Sequence, residues 1–326
     1  MVERIVNKFN LYERNLYKYF IKNTRLIHSK WIAIIWTELN KHFFHKIYLN
    51  YIEVPITTKC SLRCKECSNL IQYYNHGEFF DYKKIVNDIH RLCQITENIA
   101  MLRILGGEPL LHPDLKKILK EILKNKNIDN IQIVTNGTIL FRDDIIPILR
   151  NSKISVDISY YGNVSKKYNA LLKQLRDNRI KFITNKKLKW TKQSDFSYKN
   201  RTQKNLEQVL KKCKLDCISF FDGSMHLCPR SSNGNDLKIF DADSLDFVNL
   251  RGEKKKNQAR KKLFLLLNKK SIVACNYCNV YKQDELKTCI AGKQISREKA
   301  LKKFNIIICT NGGNNGTGCM GNRSGI

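Results

Sequence analysis

The 326 residues contain no long hydrophobic run. The most apolar stretch near the start, Trp31-Ile32-Ala33-Ile34-Ile35-Trp36, falls far short of the ~20 residues a membrane-spanning helix needs, so no transmembrane segment is expected. A secretory signal is missing too, because Met1-Val2-Glu3-Arg4 is followed by no uninterrupted apolar core and no small-residue cleavage site. A cytoplasmic protein is the expectation. Acidic residues are scarce, 29 against 59 Lys+Arg, for a net charge of +30. Such an excess ordinarily suggests nucleic acid or an anionic membrane. No nucleic-acid-binding motif accompanies it, and only Lys254-Lys255-Lys256 and Arg260-Lys261-Lys262 form local runs. No nucleic-acid partner is therefore expected; a basic surface would instead steer acidic partner proteins towards it.

Cysteine, by contrast, is plentiful, at 12 residues. In a reducing compartment clustered cysteines bind metal more often than they form disulfides, and a chain of this length buries a core without such staples.

The patterning divides the chain into four segments. Residues 1–48 place Ile5, Phe9, Tyr12, Leu16, Tyr19 and Phe20 at roughly helical spacing among basic residues, which predicts one or two amphipathic helices packed on the main domain. A helix lying in a membrane interface is the alternative. Residues 49–205 alternate short apolar runs (51–57, 100–105, 131–135, 154–159, 180–183) with amphipathic helical ones (82–93, 114–124, 143–149, 166–176). That order predicts an α/β fold with a parallel sheet, as in a barrel or partial barrel whose ligands gather at the carboxyl ends of the strands. Residues 206–295 carry a second cysteine group and are expected to form a smaller domain. Residues 296–326 end in a Gly/Asn-rich stretch expected to be disordered; Cys309 and Cys319 receive no role.

Cys60-x3-Cys64-x2-Cys67 directly follows the first expected strand. Three thiolates hold three irons of a 4Fe-4S cube and leave the fourth iron open to a chelating ligand. A zinc site would need a fourth ligand, for which His76 is the nearest candidate. Gly106-Gly107-Glu108-Pro109 follows the second strand: glycines allow close backbone approach to a ligand, and a carboxylate accepts hydrogen bonds from an ammonium. His112-Pro113-Asp114 reads as a helix start, with proline at the first helical position. Thr135-Asn136-Gly137 ends the third strand, and Ser159-Tyr160-Tyr161 ends the fourth.

This set of motifs resembles the radical SAM superfamily. The resemblance implies a partial (β/α)6 TIM-like barrel, with a catalytic 4Fe-4S cluster on Cys60, Cys64 and Cys67. It also implies S-adenosylmethionine held by Gly106, Gly107, Glu108, Pro109, Asn136 and Ser159. Two positions depart from the family pattern: Tyr161, where relatives often carry aspartate, and Glu66, where an aromatic or apolar residue near the adenine is common.

Cys213-x3-Cys217, Gly223-x4-Cys228-Pro229 and Cys275-x2-Cys278 supply five more thiols, with a hairpin turn expected at Asp222-Gly223. The order resembles the auxiliary-cluster domains called SPASM and twitch, and implies a small Cys-rich domain of the shorter, twitch-like kind with a second 4Fe-4S cluster. Either Cys213 or Cys217 could complete the set, and a four-cysteine zinc site is the alternative. The resemblance further implies reductive cleavage of S-adenosylmethionine and hydrogen abstraction from a substrate, with a flavodoxin or ferredoxin as reductant. A carbohydrate is the expected substrate; the alternatives are a peptide, modified by a maturase, or no substrate at all in a non-catalytic iron–sulfur electron carrier.

Overall fold

In the computed structural model, residues 5–6, 9–23, 30–186, 188–193, 195–213 and 217–304 are described. The Gly/Asn-rich segment with Cys309 and Cys319 lies outside them. Two helices, Leu11–Asn23 and Lys30–Leu39, come first, the second running into a π-helical turn at Asn40–Phe44. The strands that follow are β1 (Tyr48–Leu49), β2 (Ile52–Pro55), β3 (Asn98–Ile99), β4 (Leu102–Leu105), β5 (Ile131–Thr135), β6 (Ile154–Tyr160) and β7 (Phe182–Lys186), then β8 (Lys189–Thr191), β9 (Ile218–Phe221), β10 (Ser224–His226), β11 (Phe247–Asn249) and β12 (Thr288–Ile290).

The central sheet has the order β11-β10-β9-β2-β4-β5-β6-β7. Its six strands from β9 to β7 are parallel, which is the expected partial (β/α)6 architecture. One face is apolar through its central strands: Ile52, Val54, Leu102, Ile104, Ile131, Ile133, Ile154 and Val156 are buried there. The covering helices are amphipathic. Helix Tyr82–Ile95, for example, points Ile85, Ile89 and Leu92 inward at helical spacing, and the Asp81 carboxylate caps it by accepting the Lys84 N–H at 2.9 Å.

The sixth parallel strand, β9, comes from the segment assigned by sequence to the auxiliary domain and pairs with β2 in the barrel sheet. From β9 the chain turns at Asp222 (φ 42°) and Gly223 (φ 81°) into β10. Two successive left-handed residues make the tight hairpin expected there.

Other local expectations shift. The 143–149 helix splits into a 3-10 turn, Asp143–Ile145, and a single α-turn, Ile146–Leu149. Pro113 precedes the helix start instead of occupying it: Asp114 is the N-cap and Leu115–Ile122 the helix. Strand β7 begins two residues late, at Phe182, because Arg179 takes φ 55° and the Ile180 N–H bonds back to the Leu175 carbonyl, a helix stop that uses the left-handed region without glycine.

The first helix packs on the main domain as expected. Tyr12, fully buried, meets Phe264 edge-on at 4.8 Å and donates its hydroxyl to the Lys46 carbonyl at 2.9 Å. Among the described residues no helix is long and apolar enough to cross a membrane.

Candidate active site

The loop after β2 carries Cys60, Cys64 and Cys67, and the loop after β4 lies directly on it. Gly107 N–H donates to the Thr57 carbonyl at 2.8 Å, and Glu108 N–H to the Lys59 carbonyl at 2.8 Å. A Cβ on Gly107 would stand 2.0 Å from the Lys59 carbonyl oxygen and 2.9 Å from Cys60 Cβ; one on Gly106, itself at φ +147°, would stand 2.2 Å from the Thr57 oxygen. The two glycines are thus required by the close approach of the chain's own cysteine loop, a neighbour the sequence did not identify.

Glu108 is fully buried. Burial pushes its carboxyl up to about 7, against the hydrogen bonds of Asn136 N–H, Leu110 N–H and the Thr135 side chain, which pull it down. Three of the roughly four lone-pair positions of a carboxylate are filled in this way. Asn136 joins the pieces: its N–H donates to Glu108 Oε2 at 2.9 Å, while its side-chain amide donates to Ser61 Oγ at 3.1 Å and to Cys60 Sγ at 3.6 Å. Ser165, which the sequence did not flag, donates to the Asn136 carbonyl at 2.7 Å and accepts the Tyr161 N–H at 3.0 Å.

Ser159, the last residue but one of β6, pairs with Asn185 of β7 and shares a side-chain hydrogen bond with Tyr161. Burial raises the Tyr161 phenol, and the three thiols of the loop push it further the same way. Its ring meets Trp190 edge-on at 4.8 Å. Glu66, the other departure, is buried and accepts the Gln193 N–H at 2.9 Å. A cavity of about 600 Å³ opens beside the loop, walled by Thr58, Cys60, Arg63, His76 and Gln294.

On the barrel's inner face the side chains turn polar. Arg103 on β4 bridges Asp157 on β6 at 2.5 Å and Glu53 on β2 at 3.5 Å, and it also reaches the Tyr51 hydroxyl. Asn185 donates to Asp157 Oδ1 at 2.6 Å. Sequence periodicity shows such positions as interruptions of apolar runs; only strand pairing shows that they meet.

The second cysteine group converges in part. Cys213, Cys228 and Cys278 all raise the Cys275 thiol beyond what burial does, and Cys278 and Cys213 do the same to Cys228, which burial takes up to about 12. Cys217 immediately precedes β9, where its charge acts on Tyr51, at the same end of the β9–β10 hairpin as Cys228. Cys228 caps helix Pro229–Asp236, its sulfur accepting the Ser231 N–H at 3.4 Å. Beside it lies buried Arg230, 3.7 Å from the Phe196 ring centroid, donating to the carbonyls of Gln193, Asp195 and Tyr277. The Arg230 Nε is buried with no partner among the described residues.

Whether these thiols suit an iron–sulfur cluster is tested by what points at them. Cys60 accepts the Leu62 N–H at 3.4 Å, Cys64 the Gln294 amide at 3.4 Å and Cys278 the Val280 N–H at 3.3 Å. Cys67 receives backbone N–H groups from Ile71, Asn69 and Leu70. A neutral thiol is a weak acceptor; donors aimed at sulfur suit a thiolate and are a means of tuning cluster potential. Cys93 gives the contrast, since burial alone raises it, to about 12. Among the described residues no three or more His, Cys, Asp or Glu side chains form a group already placed around a metal ion. The donor chemistry around both cysteine groups fits clusters.

Residues 54–185 match the family model described as Radical SAM superfamily. Among curated proteins the chain is similar to a GTP 3',8-cyclase of Clostridium perfringens (29% identical over 140 residues, 42% of this chain and 38% of that protein). It is also similar to a GTP 3',8-cyclase of Clostridium acetobutylicum (33% over 98 residues, 29% of this chain and 30% of that protein). The chain thus matches less than half the length of these relatives. Among solved structures it is similar to Streptococcus suis SuiB bound to S-adenosylmethionine (16% identity, TM-score 0.36, covering 53% of this chain and 44% of that one). BtrN in complex with AdoMet and 2-DOIA is another (16% identity, TM-score 0.43, covering 72% and 94%). With the cysteine loop, the glycine-rich loop and the parallel sheet in place, residues 54–185 constitute a radical SAM superfamily domain.

Proposed function

We propose that the protein is a radical SAM enzyme whose catalytic 4Fe-4S cluster is held by Cys60, Cys64 and Cys67 and whose substrate is a polar small molecule of the carbohydrate kind. A 4Fe-4S cluster held there would supply the one-electron reduction that cleaves S-adenosylmethionine, the chemistry by which hydrogen would be removed from a substrate carbon. The observation that carries the reading is the locking of the Gly106–Gly107 backbone onto the Thr57–Cys60 backbone, which places Glu108 and Asn136 against the cysteine loop.

Each residue then has a task. Backbone and side-chain N–H groups stabilise the three thiolates. Gly106 to Pro109, Asn136 and Ser159 hold the cosubstrate, Glu108 offering its remaining lone pair to an ammonium. Tyr161 and Trp190 screen the loop from water. The polar inner face, with Glu53, Arg103, Asp157 and Asn185, favours a hydroxyl-rich substrate over an apolar one.

Cys213, Cys228, Cys275 and Cys278 are proposed to bind the second 4Fe-4S cluster, with buried Arg230 offsetting its negative charge. A flavodoxin or ferredoxin is the proposed reductant, attracted by the basic surface. The test is anaerobic: reconstituted protein with dithionite and S-adenosylmethionine should form 5′-deoxyadenosine. If none forms with a fully loaded cluster, the electron-carrier reading replaces this one. Binding assays with nucleotide sugars, GTP and peptides then sort the substrate classes.

A further inference from the structure

We propose that the outward face of helix Lys30–Leu39, with the turn that follows it, docks on an anionic phospholipid surface. The helix is inverted relative to an ordinary surface helix. Its inward face is Ala33, Ile34, Thr37 and Asn40, two of them polar, whereas its outward face is Trp31, Ile32, Ile35, Trp36 and Leu39, continued by Phe43. Ile35 is 56% exposed and Phe43 72%.

The helix cannot roll to hide this face. Asn40 donates to the Tyr12 hydroxyl at 2.7 Å and to the Lys46 carbonyl at 3.1 Å, and rotation would carry the buried Asn40 amide away from these partners. A contiguous exposed apolar patch of this kind marks an interaction site.

Charge decides what the patch meets. Lys22, Lys30, His42, His45 and Lys46 are exposed around it, and the Lys46 ammonium lies 5.9 Å from the Phe44 ring centroid. The acid on this helix, Glu38, pairs with His42 at 3.6 Å. A second copy would set one basic rim against another on chains that each carry +30. An anionic bilayer complements the rim, accepts Trp and Phe at its headgroup level, and takes a short amphipathic helix lying in its plane. With ten residues, helix Lys30–Leu39 is too short to span.

The test uses the full chain with vesicles of phosphatidylcholine containing phosphatidylglycerol, and with phosphatidylcholine alone. Two of the three tryptophans, Trp31 and Trp36, are on this face. Their emission should shift to the blue with anionic vesicles, and the protein should float with them, less so as salt is added. The double variant Trp31→Ser/Ile35→Ser, unchanged in far-ultraviolet circular dichroism because both side chains are exposed, should lose about tenfold or more in flotation. The proposal is overturned by absent flotation at low salt, by equal flotation on neutral vesicles, or by a variant that floats like the parent. Self-association that the variant abolishes would assign the face to a second copy and overturn it equally.

Discussion

The side-chain amide of Gln294 donates to the sulfur of Cys64 at 3.4 Å, while its oxygen accepts the Arg63 N–H at 2.6 Å. The contact spans 230 positions of sequence. Backbone bonds from Lys65 N–H to the Lys293 carbonyl (2.7 Å) and from Ile295 N–H to the Arg63 carbonyl (3.0 Å) hold the two segments in register. The stretch after β12 therefore closes over the cysteine loop.

Gln294→Leu removes one N–H···S bond and leaves the thiolate richer in charge. The midpoint potential of the cluster on this loop should become more negative, read by electron paramagnetic resonance during a redox titration. An unchanged potential would leave Gln294 a purely structural residue.

At Gly107 the nearest atoms are backbone, which cannot swing aside. Gly107→Ala should destabilise the fold by about 2 kcal/mol or more and speed iron loss to a chelator. Gly162→Ala is the control: its φ is +68°, but an added Cβ meets nothing within 4 Å, so only the left-handed cost of ~1 kcal/mol applies. Equal effects of the two in denaturant titrations would contradict the packing argument.

Cys213 acts on the thiols of both Cys228 and Cys275 and is the proposed fourth ligand of the second cysteine group. Iron and sulfide analysis of reconstituted Cys213→Ser should show loss of the auxiliary cluster's content, whereas Cys217→Ser should retain it. The reverse result would place Cys217 in the ligand set.

His112 is buried, its Nδ1 accepting the Asp114 N–H at 3.1 Å and its Nε2 bonded to the Phe80 carbonyl at 2.9 Å. Burial lowers its pKa, against the opposing influence of the Phe80 carbonyl and Asp114, with Arg142 lowering it further and Asp81 raising it. A folded-state pKa below the unfolded value of ~6.5 means that the unfolded chain binds the proton first. Stability should accordingly fall as pH drops below about 6.5 and level off once the folded form is protonated too. His112→Gln keeps a donor for Phe80 without titrating, and should flatten that slope in denaturation curves taken across the range.

Much of the barrel was legible because its signals are local. Ile131–Thr135 was read with its observed bounds, since an apolar run between turn residues makes a buried strand whatever surrounds it. The cysteine spacing and the glycine-rich element are equally local. Where strand bounds moved, as at Phe182, the cause was a backbone turn at Arg179, a residue type that carries no sequence signature for positive φ.

What the residue order alone determined is therefore the set of elements and the chemistry they carry: alternating strands and helices, three thiols after the first barrel strand, and glycines where the chain must come close to something. Tertiary structure decided which distant groups meet. The partner of Gly107 is the Lys59 backbone, Cys64 receives Gln294, and Arg103 joins Glu53 to Asp157. The reason is physical: periodicity reports which face of an element is apolar, whereas hydrogen bonds and charge pairs depend on register and loop closure between segments hundreds of residues apart.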